Sequence, residues 1–323
     1  MATKKRVTKP AGEDEQGQLV PLEVPASFVE FCDKYRTAET QLEPGQRAMC
    51  AVLFDNLDPI DLPDDHPAFG DVRAIGLRMF GCERIGDEAK RAKTRAAVCG
   101  RRGGKTSILA WRLAHLALTS QAKGMPGEPL YVLIVAPDEQ LGKQTMAFAE
   151  GCIRTVRDSL VTQASATQFT ITRPGTDQSI IFIVRPASGG GKATRGRTYL
   201  CALMEECAFF RDSESVVNDR DVFDSVMPGI VTGGQMLVPS TPWAKAGLLF
   251  ELYEQNWPHP SSAIVAHAPT WEMRVNADIL MQVAAEKERD EWNWQREYGA
   301  QFLTRDVGKF FETEALDACT EAA

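Results

Sequence analysis

The chain has 323 residues, 44% of them hydrophobic and 25% charged, with a formal net charge of −8. That composition supports a substantial core in one large α/β domain or two smaller ones. It excludes a protein that coats nucleic acid with its whole surface, so any DNA contact must be local or built by oligomerisation.

No apolar run reaches the roughly 18 residues of a membrane-spanning helix, and the polar, charged start lacks the pattern of a secretory leader. A cytoplasmic protein is expected. The eight cysteines form no C-x-x-C pair and histidines number only four. This argues against a zinc site and for cysteines packed as small apolar residues in a reducing compartment.

Residues 1–24 are rich in Lys, Glu, Gly and Pro without periodicity, which predicts a disordered arm. Its cluster Lys4-Lys5-Arg6 reads as solvated charge rather than as a DNA or partner contact. Residues 26–57 read as helical, with Ser27 as N-cap. Within them Leu42-Glu43-Pro44-Gly45-Gln46-Arg47 reads as a turn. The amide of Gln46 both donates and accepts, as the adenine edge requires, which makes it a candidate base reader. Residues 58–72 read as a loop. The basic stretch 73–95, with Arg84, Lys90, Arg91, Lys93 and Arg95, reads as a solvated helix face.

A short apolar run then enters Gly100-Arg101-Arg102-Gly103-Gly104-Lys105-Thr106-Ser107, and a helical pattern follows at once. Strand, glycine turn, Lys-Thr and helix make a phosphate-binding loop. Gly100, Gly103 and Gly104 let backbone N–H groups converge on phosphate oxygens without Cβ clashes, and the helix N-terminus favours the anion. Lys105 is placed to reach the β- and γ-phosphates of ATP, and the Thr106 hydroxyl to hold Mg²⁺, with Ser107 completing the ATP-binding run. Cys99 occupies the position where the usual pattern has its first glycine.

The helix continues through 111–119. Residues 130–136 predict a central parallel strand, and Asp138 caps a helix over 139–159. Strands are expected at 169–172 and 179–184, around the turn 173–176. The loop 187–197 carries three consecutive glycines and the cations Lys192, Arg195 and Arg197. It reads either as a flexible surface loop or as a DNA or nucleotide contact at a subunit boundary.

Residues 198–204 predict another buried strand, ending in Glu205-Glu206. Carboxylates at the C-terminal end of such a strand sit where ligands bind in open α/β sheets. Glu205 is expected in the Mg²⁺ shell, and Glu206 as the base that polarises the attacking water. A strand at 235–238 runs into Ser240-Thr241-Pro242, whose hydroxyls are placed to sense the γ-phosphate. An edge strand is expected at 263–267, and a helix capped by Asn276 runs to 289. The aromatics Trp292, Trp294, Tyr298 and Phe302 read as packing against the sheet.

The variant loop, the acidic run Met204-Glu205-Glu206-Cys207-Ala208-Phe209-Phe210, the Ser240-Thr241-Pro242 tip and Gln46 together resemble the ATPase domain of the large terminase subunit of tailed bacteriophages. The resemblance implies an α/β P-loop NTPase of the ASCE type. Its mostly parallel central sheet would be flanked by helices, with an additional strand between the loop strand and the acidic strand. It implies one motor domain over 25–305, with 306–323 as a tail or linker.

By position, Gln46 becomes the adenine reader, Lys105 and Thr106 bind phosphate and Mg²⁺, Glu205 supports the metal, and Glu206 is the catalytic base. Ser240 and Thr241 become the motif coupling hydrolysis to movement. Arg101 or Arg102 would stabilise transition-state charge in cis, and Arg195 or Arg197 in trans. The implied partners are double-stranded DNA, the portal protein of the procapsid, the small terminase subunit, a nuclease domain or chain, and further copies of this chain in a ring, a pentamer. The implied location is the host bacterial cytoplasm, transiently at the portal vertex.

Two departures stand out. Glu205 replaces the family's aspartate. The sequence also ends at Ala323, where a nuclease domain would begin, so ATPase activity without DNA cleavage is expected. The rival readings are a helicase-like or remodelling ATPase, a P-loop small-molecule kinase, and an assembly protein that binds nucleotide structurally.

Overall fold

The apolar runs become strands buried on both faces, as central parallel strands must be. The computed structural model of the chain describes residues 22–64, 70–189, 191–210 and 219–303. The expected tail and all but the end of the expected arm lie outside those residues. In chain order the strands are β1 (Thr94–Cys99), β2 (Leu130–Ala136), β3 (Val161–Ala164), β4 (Gln168–Thr172), β5 (Ser179–Pro186), β6 (Tyr199–Met204), β7 (Ile230–Ser240) and β8 (Ala263–Ala268). The helices are α1 (Phe28–Tyr35), α2 (Pro44–Asp55), α3 (Val72–Phe80), α4 (Asp87–Arg91), α5 (Lys105–Thr119), α6 (Glu139–Arg157), α7 (Asp219–Val226), α8 (Leu248–Asn256), α9 (Thr270–Met273), α10 (Ala277–Arg289) and α11 (Glu291–Glu297).

The eight strands among the described residues form one sheet in the order β3-β4-β5-β2-β6-β7-β1-β8. Every pairing from β5 across to β8 is parallel, and only β4 runs against its neighbours. The strand that enters the glycine loop, β1, and the strand that ends in the acidic pair, β6, are separated by β7. This is the mostly parallel, helix-flanked P-loop arrangement with its additional strand. Residues alternate between the two faces. Ala97 and Cys99 join the core under α1, α2, α5 and α6, whereas Ala96 and Val98 join the core under α7 and α8.

Several boundaries differ from expectation for physical reasons. Residues 23 and 24, read from the sequence as part of the arm, are tied to the fold. The carbonyl of Glu23 accepts hydrogen bonds from Lys34 Nζ at 2.7 Å and Tyr35 Oη at 3.3 Å, and Val24 packs on the core. Strand β7 begins at Ile230, ahead of its apolar half, because pairing with Tyr199 holds a polar, glycine-bearing start whose pattern is silent. The edge strand β3 is too short and polar to announce itself.

The basic stretch before β1 is not simply solvated. Lys90 pairs with Asp58 at 2.8 Å, and Arg95 is 4% exposed. Its guanidinium donates to Leu53 O at 2.8 Å, Lys90 O at 2.8 Å and Asn56 Oδ1 at 3.2 Å. It thereby ties the C-terminal ends of α2 and α4 to β1, where helix dipoles favour a cation.

A second buried polar cluster holds α5 against α1 and α2. Arg112 lies over the Phe54 ring at 4.9 Å and the Phe28 ring at 5.5 Å, and donates to Gln235 Oε1 at 3.0 Å. It also donates to His115 Nδ1 at 2.8 Å. Because arginine can only donate, Nδ1 must accept, so the ring carries its hydrogen on Nε2 and gives it to Pro25 O at 2.9 Å. Burial, with the neighbouring Arg112 charge, pushes the His115 pKa down to about 4 from 6.5.

Between those two values the unfolded chain binds a proton that the folded chain does not. This contribution to stability, at most about 3 kcal/mol, is present above the unfolded pKa and is lost as pH falls toward the folded one. Urea unfolding at about pH 7 and about pH 5 is expected to show a smaller loss of stability on acidification for His115→Gln than for the unsubstituted chain.

Candidate nucleotide-binding and hydrolysis site

The glycine loop crosses from the end of β1 to the start of α5, at the C-terminal edge of the parallel sheet. Cys99 faces the core, fully buried, with Sγ 4.0 Å from Met49 Sδ, and burial pushes its thiol up to about 11. The departure from the usual glycine pattern therefore falls on a packing position. The constraint is met one residue later, since a Cβ on Gly100 would lie 2.3 Å from Thr270 Oγ1 and 2.4 Å from Tyr298 O. Gly104 caps α5 with φ 90°. Arg102 (φ 61°) and Glu206 (φ 51°) are non-glycine residues in the left-handed region, and both line the same pocket. Strain of this kind gathers at functional sites.

The loop carbonyls are held by side chains from distant segments. Thr270 Oγ1 donates to Arg101 O at 2.7 Å, Arg274 Nε to Arg102 O at 3.1 Å, and Gln46 Nε2 to Gly103 O at 3.0 Å. The first turn of α5, whose N–H groups have no intrahelical acceptor, faces a cleft of about 800 Å³. Its lining includes Lys105, Thr106, Ser107, Glu206, Arg274 and Tyr298.

Lys105 is 8% exposed and its Nζ donates to Cys99 O at 3.0 Å, Gly100 O at 3.3 Å and Thr241 Oγ1 at 3.0 Å. It lies 3.5 Å from Glu206 Oε1. The other oxygen of Glu206 accepts from Ser240 Oγ at 3.0 Å and from the Thr241 N–H at 2.9 Å. Glu205 points elsewhere. Its Oε1 accepts from Thr106 Oγ1 at 2.7 Å and its Oε2 from Thr145 Oγ1. Burial raises the Glu205 pKa, opposed by the two threonine hydrogen bonds.

The paired Thr106 hydroxyl and Glu205 carboxylate fit a hard divalent cation that keeps waters and takes further oxygens from a phosphate ligand. Among the described residues no group of three or more His, Cys, Asp and Glu could hold a metal by itself. A cation here would therefore need oxygens from outside these side chains, as Mg²⁺ at a nucleotide site does.

The structure thus brings Gly100, Gly103, Gly104, Lys105, Thr106, Ser107, Glu205, Glu206, Ser240 and Thr241 together. The remaining sequence candidates are engaged by other groups, stand at the rim of the cleft, or lie away from it. Gln46 is 1% exposed and lies in the first turn of α2 rather than in a turn. Its Oε1 accepts from the Glu43 N–H while its Nε2 holds Gly103, so both ends of the amide are engaged within the protein. Arg101 is exposed and its Nε pairs with Glu297 at 3.1 Å. Arg102 is exposed at the pocket rim. Arg195 and Arg197 line a separate cleft of about 560 Å³ beside Gly229, at the start of β6. That is the opposite end of the sheet from the loop, because parallel strands all end on the loop side.

Residues that the sequence did not single out also contribute. Thr145 and Arg274 reach the site from α6 and the segment after α9. Of the aromatics expected to pack against the sheet, Tyr298 lines the cleft, whereas Phe302 packs on Phe250 at 5.1 Å and Trp294 stacks on Trp271 at 5.0 Å. No local spacing marks any of these, since each acts across a large sequence separation.

The sheet order, the loop and the helix behind it define an α/β P-loop NTPase fold of the additional-strand type. The ATPase domain of the Thermus phage P74-26 large terminase matches with a TM-score of 0.51 at 15% identity, over 71% of this chain and 97% of that domain. The HK97 bacteriophage large terminase matches with a TM-score of 0.54 at 15% identity, over 91% of this chain and 58% of that one. A large terminase from a thermophilic bacteriophage matches with a TM-score of 0.50 at 10% identity, over 74% of this chain and 56% of that one. No protein-family profile matches the sequence, and no curated protein does. At these identities the likeness establishes the fold, and the expected resemblance to large terminase ATPase domains is found there.

The two neighbouring residues at the loop entrance should separate packing from binding. Cys99→Ala is expected to cost about 1 kcal/mol in urea unfolding and to leave ATP binding by equilibrium dialysis unchanged. Gly100→Ala is expected to cost about 1–3 kcal/mol and to weaken ATP binding as well.

Proposed function

We propose that the chain is the ATPase motor of a large terminase, hydrolysing ATP to drive viral double-stranded DNA into a procapsid. The observation that carries this reading is the division of the acidic pair. Glu205 faces the Thr106 hydroxyl at 2.7 Å, whereas Glu206 faces Lys105 at 3.5 Å and the tip of β7. The terminase-like fold supports the choice of motor over other P-loop proteins.

In this reading Lys105 leaves the backbone carbonyls and turns to the β- and γ-phosphates as ATP enters. Thr106 and Glu205 would hold Mg²⁺, which would supply charge neutralisation at the phosphate oxygens. Glu206 orients a water in line with the γ-phosphate and accepts its proton. Loss of the γ-phosphate removes the partner of Lys105, and the hydrogen bonds from Ser240 and Thr241 to Glu206 pass that change into β7. Arg101 or Arg102 adds positive charge in cis, which requires Arg101 to release Glu297. Arg195 or Arg197 acts on a neighbouring copy in trans. Gln46 reads adenine by exchanging its Glu43 or Gly103 hydrogen bond for the base.

The partners in this reading are double-stranded DNA, the procapsid portal protein, the small terminase subunit, a nuclease domain or chain, and further copies of this chain in a ring of five. The work is done in the host bacterial cytoplasm, at the portal vertex during packaging. Among the described residues no helix is long and apolar enough to cross a membrane.

Steady-state ATP hydrolysis and nucleotide binding test the assignment together. Glu206→Gln is expected to bind ATP normally and to lose roughly 10²–10⁴-fold in turnover. Lys105→Ala is expected to lose binding itself. Linear duplex DNA and portal are expected to stimulate the unsubstituted chain. Wild-type-like turnover in both variants would overturn the site, and phosphate transfer to a small acceptor would indicate a kinase.

A further inference from the structure

The Glu205 carboxylate is a long lever in a tight place. It is 2% exposed, and glutamate has one more rotatable bond than the aspartate of the resembled family. Thr106 engages only its Oε1. Left with that single hydrogen bond, the carboxylate could swing about its last torsion, a broad and soft one.

Helix α6 closes the other side. Asp138 starts it by accepting the Leu141 N–H at 2.8 Å, directly after β2 ends. Gly142 lets the helix lie close on the sheet, since a Cβ there would meet Val184 Cγ1 at 2.6 Å and Ala136 Cβ at 3.5 Å. Met146, Ala149 and Ile153 anchor the same face in the core. Thr145 is thereby carried over the end of β6, with 0% exposure, and its hydroxyl donates to Glu205 Oε2. A buried hydroxyl needs a partner, and a buried carboxylate oxygen left without a donor costs more than the bond itself returns.

We infer that Thr145 is a positioning residue for the metal side of the site, holding Glu205 Oε2 so that Oε1 stays aimed at Thr106 and the cation. The inference rests on the proposed function only in taking Thr106 and Glu205 as the cation side. Thr145 is not among the residues that line the cleft, and its observed partner is Glu205. It is the device that lets a glutamate stand where a shorter acid is usual, and it acts as outer-shell partners of metal-binding carboxylates do.

The test compares hydroxyl-bearing with hydroxyl-free side chains at this position. A fluorescent ADP analogue is titrated against the full chain at a series of Mg²⁺ concentrations and without Mg²⁺, and thermal unfolding reports the fold. Thr145→Val keeps the shape without the donor, Thr145→Ala removes both, and Thr145→Ser keeps the donor. Thr145→Val and Thr145→Ala are expected to bind the analogue normally without Mg²⁺ and to need roughly 10–100-fold more Mg²⁺ for the enhanced affinity. Thr145→Ser is expected to stay close to the unsubstituted chain.

If Thr145→Val responds to Mg²⁺ like the unsubstituted chain, or if Thr145→Ser fails as badly as Thr145→Val, the positioning role is overturned while the cation site stands. If Thr145→Val does not fold, Thr145→Ala against Thr145→Ser decides in the same way. If the unsubstituted chain binds the analogue with no gain from Mg²⁺, the cation site itself is wrong and the role of Thr145 falls with it.

Discussion

The site depends on sending two adjacent carboxylates in different directions. Like charges held side by side in a buried setting oppose each other's ionisation. Glu205 still follows β6, with its N–H on Val135 O at 2.8 Å, and its side chain turns toward the threonines of α5 and α6. Glu206 takes a left-handed backbone conformation, costing about 1 kcal/mol or more, and bonds its N–H to Pro239 O at 3.0 Å. That turn carries the second carboxylate to the tip of β7 and to Lys105. One strand end thereby presents two carboxylates to different partners, one to the threonines of α5 and α6 and the other to Lys105 and the tip of β7.

The additional strand makes this possible. With β7 between β1 and β6, the loop strand and the acidic strand are one strand apart, and the tip of β7 lies between their ends. Thr241 touches both parties, accepting from Lys105 Nζ through its hydroxyl and donating to Glu206 through its N–H. Lys105, Glu206 and the tip of β7 are therefore joined by direct hydrogen bonds through Thr241. The loop itself is held from elsewhere. Thr270, Arg274 and Glu297, all from the C-terminal third, bond the Arg101–Arg102 backbone, and α2 contributes Gln46. The phosphate loop is thus a meeting point of distant segments as much as a local turn.

Much of the fold was legible. Parallel strands covered on both faces must be apolar at every position, so the runs ending at Cys99, Ala136 and Met204 announced themselves. The order of loop, acidic pair and hydroxyl tip was legible too, because each is a short contiguous pattern at a strand end. The contacts that were not legible share a cause. Arg95 looks like any surface arginine until two helix ends close over it, and Gln46 looks free until Glu43 and Gly103 take both ends of its amide. The polar half of β7 is a strand only because β6 pairs with it.

The sequence by itself determined the α/β class, the phosphate loop and the two acids at a strand end, since local spacing and burial on both faces dictate these. Tertiary structure alone decided what each acid faces, that Cys99 is a core residue and Gly100 the constrained one, and that Thr145 and Arg274 belong to the site. It also decided that Arg195 and Arg197 stand at the far end of the sheet from the loop. The physical reason is that hydrogen bonds between side chains depend on where helices from distant parts of the chain pack on the sheet, and no local spacing encodes that.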